Sequence, residues 1–469
     1  MASLGLEVAV STAAGPTGRQ ALALLRSLRA DPLTGFVSLT NHYGDFVRVP
    51  LPRGGKLLLI SRPELAAHVL VSNQANYRKA RTYKPMTEVL GNGLLTNEGE
   101  DWARQRRIVQ PMFARRHIDS FAPAMVAAAH TTLESWAARP DGALLDVAEE
   151  MSALALDVAG RALFSADLTG EAGAMGPALA TVLDAFTKVV RSPLFLVAPN
   201  YHRWPTPNRL RARAAEAQLH GVVDGLISRR RAEQRLPGDA GARDLLDMLL
   251  AARDETTGEP MSEQQVRDEL MTFLLAGHET TANALAWTFM LLSRNPEARD
   301  RLEAEVDEVL AGREATAADA DKLTWTSAVI SESMRLYPPA WIIEREAIAA
   351  DELDGEPVPA DSVVAPAPYL LHRNPDQWPN PEGFDPTRFL PGEGSARHRF
   401  AYLPFGGGRR QCIGGGFAML ESVLLLATIT QRYRLDLVPG FREEPVPTIT
   451  LRPRRGIPMR LHRRAAALD

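Results

Sequence analysis

The apolar and polar residues of this chain follow a helical period over most of its length. The longest periodic stretch begins at Ser262, where Gln265 three residues later completes a capping box, and it continues to about Arg294 before Pro296 ends it. Roughly 32 residues at 1.5 Å each predict a helix about 48 Å long that crosses the whole molecule. The same period predicts further helices over residues 18–28, 63–71, 144–235 and from 98 onward.

Short runs of apolar and β-branched residues indicate a smaller β part. Phe46–Leu51 and Lys56–Ile60 flank the turn sequence Pro52-Arg53-Gly54-Gly55, which predicts a hairpin. Further β-like runs cover 338–345 and 362–365. The fold class is therefore predicted to be mainly α with a minor β part (α+β).

Three segments interrupt the periodicity. Residues 79–98 are irregular and rich in Thr, Gly, Asn and Pro, which is typical of a binding site. Residues 193–207 are rich in proline, and residues 238–260 are charged and predict an exposed loop. None of the three has the composition of a long linker, so the 469 residues are predicted to form one domain.

The composition is that of an ordinary globular protein. Apolar residues make up 45% of the chain and charged residues 23%, which suffices for a large core. The net charge of -4 gives no electrostatic reason to bind nucleic acid. A single cysteine points to a reducing compartment, and the N-terminal residues contain no apolar run long enough for a signal sequence or a membrane span. We therefore expect a soluble cytoplasmic protein.

The single cysteine, Cys412, lies between two glycine triplets at the start of an apolar run with helical spacing. The first amides of a helix favour an anion, so we expect the pKa of this thiol to be lowered. A thiolate is a nucleophile and a soft metal ligand, but a lone intracellular cysteine is more often a small buried apolar residue. A thiol hydrolase would also need a histidine base, and the sequence shows no nucleophile-elbow or caspase-like context.

The neighbours of Cys412 decide between these interpretations. The stretch resembles the haem-binding signature of the cytochrome P-450 superfamily at every specified position, namely Phe405, Gly406, Gly408, Arg410, Cys412, Gly414 and Ala418. The resemblance implies that Cys412 is the thiolate ligand of a haem b iron, which favours O–O cleavage. It implies a single P-450 domain over residues 1–469, with a long central helix over the haem and small β sheets at one side. The β-rich part would cover about 40–65 and the helical body about 66–340. The haem-ligand loop would lie at 404–414 and the proximal helix at 413–432.

Several cations are candidate partners of the haem propionates. Trp102 and Arg106 lie four residues apart on one helix face, which alone indicates an ordinary cation–π pair. In the family this Trp-x-x-x-Arg pattern binds a propionate, and the resemblance gives Arg410 the same role. Arg345 and His398 are alternative candidates for the second propionate, although His398 is also readily explained as a surface histidine.

The centre of the long predicted helix reads Ala276-Gly277-His278-Glu279-Thr280-Thr281. Polar residues inside an apolar helix often mark a functional site. A His-Glu-x-x-His zinc motif is excluded because position 282 is alanine. An ordinary helix whose threonines bond back to the preceding turn stays possible. The stretch also resembles the family's distal Ala-Gly-x-Asp/Glu-Thr motif, which implies that Glu279 and Thr280 deliver protons for dioxygen cleavage and that Ala276 and Gly277 lie against the haem.

Two further segments match a structural motif of the family. Glu332 and Arg335 form an i, i+3 pair that alone would be an ordinary surface feature. In order and context they resemble the family's Glu-x-x-Arg, which pairs with an arginine of a later Phe-x-Pro-x-Arg-Phe segment, here Arg388. The resemblance implies a buried triad that holds the loop of Cys412.

The resemblance implies a soluble bacterial haem-thiolate monooxygenase, suited to secondary metabolism. It would insert one atom of O2 into an apolar small molecule (terpenoid, fatty acyl or polyketide-like). Electrons would come from NAD(P)H through a separate ferredoxin or flavodoxin and its reductase. An acidic ferredoxin would be attracted by the basic residues Arg104, Arg107, Arg115, Arg116 and Arg409. The alternative is a haem-thiolate protein without the O2 cycle: a peroxygenase, an isomerase or a haem-ligand binder. The arginine-rich run from 452 to 464 is expected to be a solvated face.

Overall fold

The computed structural model describes residues 13–18, 20, 24, 28, 31–51, 55–165, 169–192, 194–195, 198, 200–233 and 244–464. The helix predicted over 18–28 falls largely outside these residues. The helices are α1 (Pro32–Tyr43), α2 (Pro63–Ala67), α3 (Thr87–Leu90), α4 (Gly99–Val109), α5 (Arg115–Ser120), α6 (Ala122–Ala137), α7 (Val147–Phe164), α8 (Thr169–Val190), α9 (Pro207–Ala232), α10 (Leu245–Ala251), α11 (Glu263–Arg294), α12 (Pro296–Leu310), α13 (Thr324–Leu336), α14 (Pro368–Leu371) and α15 (Gly415–Thr430). None of them is both long enough and apolar enough to cross a membrane.

The strands are short and form small sheets. They are β1 (Phe46–Pro50), β2 (Lys56–Ile60), β3 (Tyr77–Lys79), β4 (Ala143–Asp146), β5 (Arg345–Ala347), β6 (Asp351–Leu353), β7 (Glu356–Val358), β8 (Val363–Pro366), β9 (Tyr433–Leu437), β10 (Pro445–Pro447), β11 (Leu451–Pro453) and β12 (Pro458–Arg463). The mainly helical fold with a minor β part is thus confirmed.

The central helix α11 organises the helical body. Its N-cap is Ser262, whose hydroxyl accepts from the Gln265 amide while the Gln265 side chain accepts from the Ser262 amide, so the predicted capping box is confirmed. Between Ala282 and Leu292 every side chain is buried. The helix packs most extensively against α7 and also against α9, α13 and α15.

The largest sheet has the strand order β1-β2-β8-β5-β3. The predicted β1–β2 hairpin is confirmed, with Phe46 opposite Ile60. Strands β3 and β5 are antiparallel and place Lys79 opposite Arg345. Because paired residues share a face of the sheet, these two cationic side chains point to the same side.

Two sequence expectations are wrong here. Residues 245–251 were expected to lie in an exposed loop but form helix α10, because Leu245, Leu246 and Leu249 are buried and Arg230 pairs with the carboxylates of Asp244 and Asp247. Residues 144–146 were expected to be helical but belong to β4, which pairs with β12.

The C-terminal arginines also differ from the expected solvated face. Residues 451–453 and 458–463 are strands, and Met459 and Leu461 are buried. The side chain of Arg464 is only 14% exposed and pairs with Asp307. Arg454 and Arg455 are exposed, as expected.

Candidate active site

The loop around Cys412 is shaped by its glycines. The Cys412 amide donates to the Phe405 carbonyl (2.9 Å), which closes the loop. Gly406 and Gly408 have φ values of 67° and 71°, a conformation that glycine adopts readily. A Cβ on Gly408 would lie 1.8 Å from the Leu70 carbonyl oxygen, so only glycine fits there. The sequence pattern therefore specifies the path of the chain around the thiol.

The Cys412 thiol is reachable by solvent although protein surrounds it. Burial raises its pKa, while an interaction with the Gly414 backbone and the nearby Arg106 act in the opposite direction. The expected lowering is therefore wrong for the protein alone. Helix α15 begins at Gly415, three residues beyond the sulfur, so the amides of its first turn give less support than expected. A metal bound to the sulfur would favour the thiolate.

A buried histidine and a partly buried tyrosine connect the start of this loop to the helical body. The Leu403 amide donates to Nε2 of His372 (2.8 Å), and the hydroxyl of Tyr402 donates to the Ser331 carbonyl of α13 (2.8 Å). Burial, then the cations Arg335 and Arg373, lower the pKa of His372 to about 3. The neutral imidazole is therefore available as an acceptor at physiological pH.

The Glu332 carboxylate and the Arg335 guanidinium form a fully buried pair. Arg335 donates to both oxygens of Glu332 (2.7 and 2.8 Å). Its remaining donors reach the carbonyls of His372, Pro381 and Gly383 at 2.6–2.8 Å. Burial raises the pKa of Glu332, whereas Arg335, the Asp385 amide and Arg388 act to lower it.

Arg388 joins this pair more loosely. Its Nε lies 3.5 Å from Glu332 and makes no hydrogen bond, while its guanidinium donates to the Asn380 carbonyl (3.2 Å). The three residues of the predicted triad thus lie together, with Arg335 at its centre. Since Arg335 binds three loop carbonyls, it links α13 to the segment that leads to the Cys412 loop.

A cluster of cations lies near the thiol. The Arg410 guanidinium is 3.7 Å from the centroid of the Trp102 ring and donates to the Asn97 carbonyl (2.9 Å). Burial lowers the pKa of Arg410 to about 10. Arg106 donates to the Gln411 carbonyl (3.0 Å), directly before Cys412. Helix α4 thus contacts the Cys412 loop through both residues of the predicted Trp-x-x-x-Arg pattern.

Lys79 is a member of this cluster that sequence reasoning missed. Burial lowers its pKa well below the usual value, and Arg410 and Arg345 lower it further, against the opposing effect of Glu98. Its position at the end of a strand, where the irregular segment 79–98 begins, was the available signal. Lys79, Arg345 and Arg410 therefore lie close together, and the Glu98 carboxylate pairs with Arg410 (2.5 Å).

His398 is placed differently from Arg345. Its Nδ1 accepts from the Phe400 amide (3.1 Å), so the ring caps a short helical turn. Arg345 is buried and interacts electrostatically with Lys79 and Arg410. Of the two alternatives, Arg345 has the surroundings that suit an anionic group.

The middle of α11 borders an open space. Ala276 is exposed although Leu274 and Leu275 beside it are buried, and a Cβ on Gly277 would meet nothing within 4 Å. The Thr280 hydroxyl donates to the Ala276 carbonyl (2.6 Å), so it bonds back to the preceding turn. Burial raises the pKa of Glu279, while Arg452 and the Thr450 side chain oppose the rise.

Thr281 points elsewhere. Its hydroxyl donates to Oε2 of Glu421 on α15 (3.2 Å), and both residues are buried. Burial raises the pKa of Glu421 to about 8. Glu421 was not found from the sequence because it occupies a position in an apolar helical run where no motif distinguished it.

These residues fit a haem. The accessible sulfur suits an iron, and the helix surface without a side chain at Gly277 suits a flat macrocycle. The cluster of buried and partly buried cations suits two carboxylates. Cys412 would hold the iron, and Trp102, Arg106, Arg410, Arg345 and Lys79 would hold the propionates.

Comparison with known proteins agrees with this arrangement. The family model described as Cytochrome P450 matches residues 18–457. Cyclooctatin synthase of Streptomyces melanosporofaciens is 41% identical over 93% of this chain and 92% of its own. Cyclooctat-9-en-7-ol 5-monooxygenase of the same organism is 38% identical over 92% and 91%. Among solved structures, the cytochrome P450DA heme domain has a TM-score of 0.86 at 26% identity and covers 97% of this chain and 98% of its own.

Proposed function

The chain belongs to the cytochrome P450 family of haem-thiolate oxidoreductases, and on that premise we propose that it hydroxylates a terpenoid with haem b as cofactor. The reaction would convert R–H, O2, two protons and two electrons into R–OH and water. The observation that carries the proposal is the solvent-reachable Cys412 thiol beside a group of three cationic side chains, Lys79, Arg345 and Arg410. Haem iron held by a thiolate supplies dioxygen activation.

The residues of this chain would bind the cofactor and deliver protons. Trp102, Arg106 and Arg410 hold and orient the cofactor through its propionates, since burial of two anions requires cationic or hydrogen-bonding partners. Glu279 would take up a proton and the Thr280 hydroxyl would relay it into the open space beside the central helix, where the haem would supply dioxygen activation. Because the pKa of Glu279 is raised, it is protonated over a wider pH range than an exposed glutamate and can donate.

The substrate class rests on the relatives. Two of them, at 41% and 38% identity over nearly the whole chain, carry names that refer to cyclooctatin and cyclooctat-9-en-7-ol. A further relative, at 34% identity, is named pentalenene oxygenase. We propose that this chain takes a cyclic terpenoid of the same kind.

The electrons would arrive from NAD(P)H through a ferredoxin or flavodoxin and its reductase. The basic residues expected to attract that partner are not equivalent. Arg104 and Arg107 pair with the buried carboxylate of Asp254, and Arg115 pairs with Asp321. Arg116 on α5 and Arg409 beside the Cys412 loop are exposed and lie near the ligand loop, since α5 packs against α15. These two are the better docking candidates.

The test is product formation from cyclooctat-9-en-7-ol and related cyclic terpenoids. The purified holoenzyme is supplied either with NADPH and a surrogate ferredoxin and reductase, or with hydrogen peroxide alone. The proposal expects a product one oxygen heavier in the first case. Product with peroxide alone would favour the peroxygenase alternative, and no product from either would contradict the proposed substrate class.

A further inference from the structure

A cavity with a volume of about 820 Å³ lies between the end of α8 and the hairpin formed by β10 and β11. Basic side chains line it from both walls: Lys188 and Arg191 come from the end of α8, and Arg452 and Arg454 come from the hairpin. Among the described residues that line the cavity, only Asp184 is acidic. The two walls therefore present more positive than negative charge to the cavity.

Two of these four cations have carboxylate partners. Lys188 pairs with Asp184 one helical turn earlier (2.6 Å), and Arg454 pairs with Glu444 (3.1 Å). Exposed pairs of this kind are weak, so the carboxylates reduce the positive charge of the cavity without removing it. The rest of the positive charge lies on the other two arginines.

Arg191 directly follows α8 and is half-buried. It forms no ion pair within the described part of the chain. Burial lowers its pKa, Arg454 lowers it further, and Asp31 acts in the opposite direction. The Asp31 carboxylate accepts from the Thr34 amide (3.2 Å) and so caps α1. Arg191 is thus a partly desolvated cation close to a second cation, and a bound anion would stabilise both.

Arg452 approaches the cavity from a firmly held strand. The amide of its neighbour Leu451 donates to the Pro339 carbonyl (3.0 Å), and the Leu451 carbonyl accepts from the Trp287 indole (3.0 Å). Arg452 acts electrostatically on Glu279 of α11, but no carboxylate of the described residues forms an ion pair with it. Its guanidinium therefore keeps donors for a ligand in the cavity.

We propose that this cavity binds the diphosphate group of an organic ligand, with Arg191 and Arg452 as its main cations. Guanidinium groups donate paired hydrogen bonds to phosphate oxygens. The two arginines come from different walls, so two linked phosphates can contact both, whereas a single carboxylate suits only one. The described lining residues include none of those assigned to the haem, so this site goes beyond the proposed function and does not depend on it.

Calorimetric titration of the holoenzyme with inorganic pyrophosphate tests the proposal. Haem is bound throughout, so that the cations around Arg410 are occupied by its propionates. Arg191→Gln should weaken binding about tenfold, and the double variant with Arg452→Gln should weaken it about a hundredfold, because each loses a charged hydrogen bond. Asp184→Asn should instead tighten binding, because the acidic lining residue is removed.

Arg455→Gln is the matched control for these variants. Its side chain is 80% exposed and is not among the described lining residues, so its affinity for pyrophosphate should equal that of the wild type. No measurable binding to the wild type would overturn the proposal. Equal weakening in the Arg455 and Arg191 variants would overturn it too, because the anion would then respond only to overall charge.

Hydrogen exchange of the wild type locates the anion without any substitution. Pyrophosphate should slow exchange in residues 184–192 and 446–454, leave helix α4 unchanged and leave the Soret band of the haem in place. Protection confined to α4, or a shifted Soret band, would assign the anion to the haem site and overturn the proposal.

Competition identifies the source of the diphosphate. Farnesyl diphosphate, ADP and laurate are each tested for displacement of pyrophosphate. Displacement by farnesyl diphosphate alone would identify a prenyl diphosphate site, and displacement by ADP alone would identify a nucleotide site. Displacement by neither diphosphate, or by laurate as strongly as by either of them, would overturn the diphosphate assignment.

Discussion

The hydroxyl of Thr281 donates a 3.2 Å hydrogen bond to the Glu421 carboxyl, which joins the central helix to the helix that follows the Cys412 loop. Thr280, its neighbour in sequence, bonds to the Ala276 carbonyl at the edge of the open space instead. Two adjacent threonines therefore serve different parts of the molecule, one the buried core and the other the site.

This difference predicts that substitution of Thr280 affects coupling and that substitution of Thr281 affects stability. Thr280→Ala should release more hydrogen peroxide per NADPH consumed, because proton delivery is impaired, with little change in stability. Thr281→Val should lower the free energy of unfolding by about 1–3 kcal/mol, since it leaves a buried carboxyl without its donor. Coupling assays and urea denaturation of both variants check this. Equal loss of coupling in both would contradict the assignment.

Glu421 predicts a pH dependence of stability. Its pKa is raised to about 8 in the folded protein, so the folded state holds a proton that the unfolded state releases above about pH 4.5. Stability is therefore lost as pH rises between these values, by at most about 1.4 kcal/mol per pH unit for one proton. Glu421→Gln should flatten this slope in denaturation measured from pH 5 to 8. An identical slope in wild type and variant would show that Glu421 is not the group responsible.

The Glu332–Arg335 pair should matter more to folding than Arg388. Glu332→Gln leaves the fully buried Arg335 cation unpaired, which costs about 3–5 kcal/mol. Arg388→Gln should cost much less, because its Nε makes no hydrogen bond. The haem-to-protein ratio after expression, together with denaturation midpoints, distinguishes the two. A larger loss in the Arg388 variant would contradict the ranking.

Arg410 should control haem retention. Arg410→Leu removes a cation that packs on Trp102 and would bind a haem propionate. Loss of a charged hydrogen bond costs about 1.5–3 kcal/mol, so the haem affinity should fall by a factor of roughly 10–100. Arg116→Leu is the control, because that side chain is exposed and lies on α5. Haem transfer to apomyoglobin measures the effect. Equal transfer rates from both variants would exclude the propionate role.

Charge reversal should show where on this protein the redox partner binds. Arg116→Glu combined with Arg409→Glu should lower the ferredoxin-dependent reduction rate and weaken its dependence on salt, because electrostatic steering is lost. Arg455→Glu, two residues after the end of β11, is the control; its side chain is 80% exposed. An unchanged rate and salt dependence in the double variant would place docking elsewhere.

Much of the fold could be predicted because its signals are local. The capping box at Ser262 and Gln265 and the β1–β2 pairing follow from short-range pattern and turn chemistry. Helix α10 was missed because its short apolar run lies within a charged and Gly-containing segment, and Arg230, the partner of Asp244 and Asp247, lies in another helix. Charge alone could not show that these carboxylates are neutralised in the fold.

Candidate site residues could be singled out from the sequence where a motif repeats a known spacing. Cys412, Glu279 and the Glu332 triad lie in such motifs, whereas Lys79 and Glu421 do not. Their surroundings come from segments far apart in the chain, since Lys79 lies near Arg410 and Glu421 accepts from Thr281. The pKa of Cys412 was misjudged because helix position was given more weight than burial.

The central claim is that the Cys412 sulfur binds a haem iron. The most direct test is the carbon monoxide difference spectrum of the reduced protein. Wild type is expected to show the strongly red-shifted Soret band of a thiolate-ligated haem, and Cys412→Ser is expected to lose that band even when haem is retained. A colourless wild-type protein after haem supplementation, or an unchanged band in the serine variant, would contradict the account.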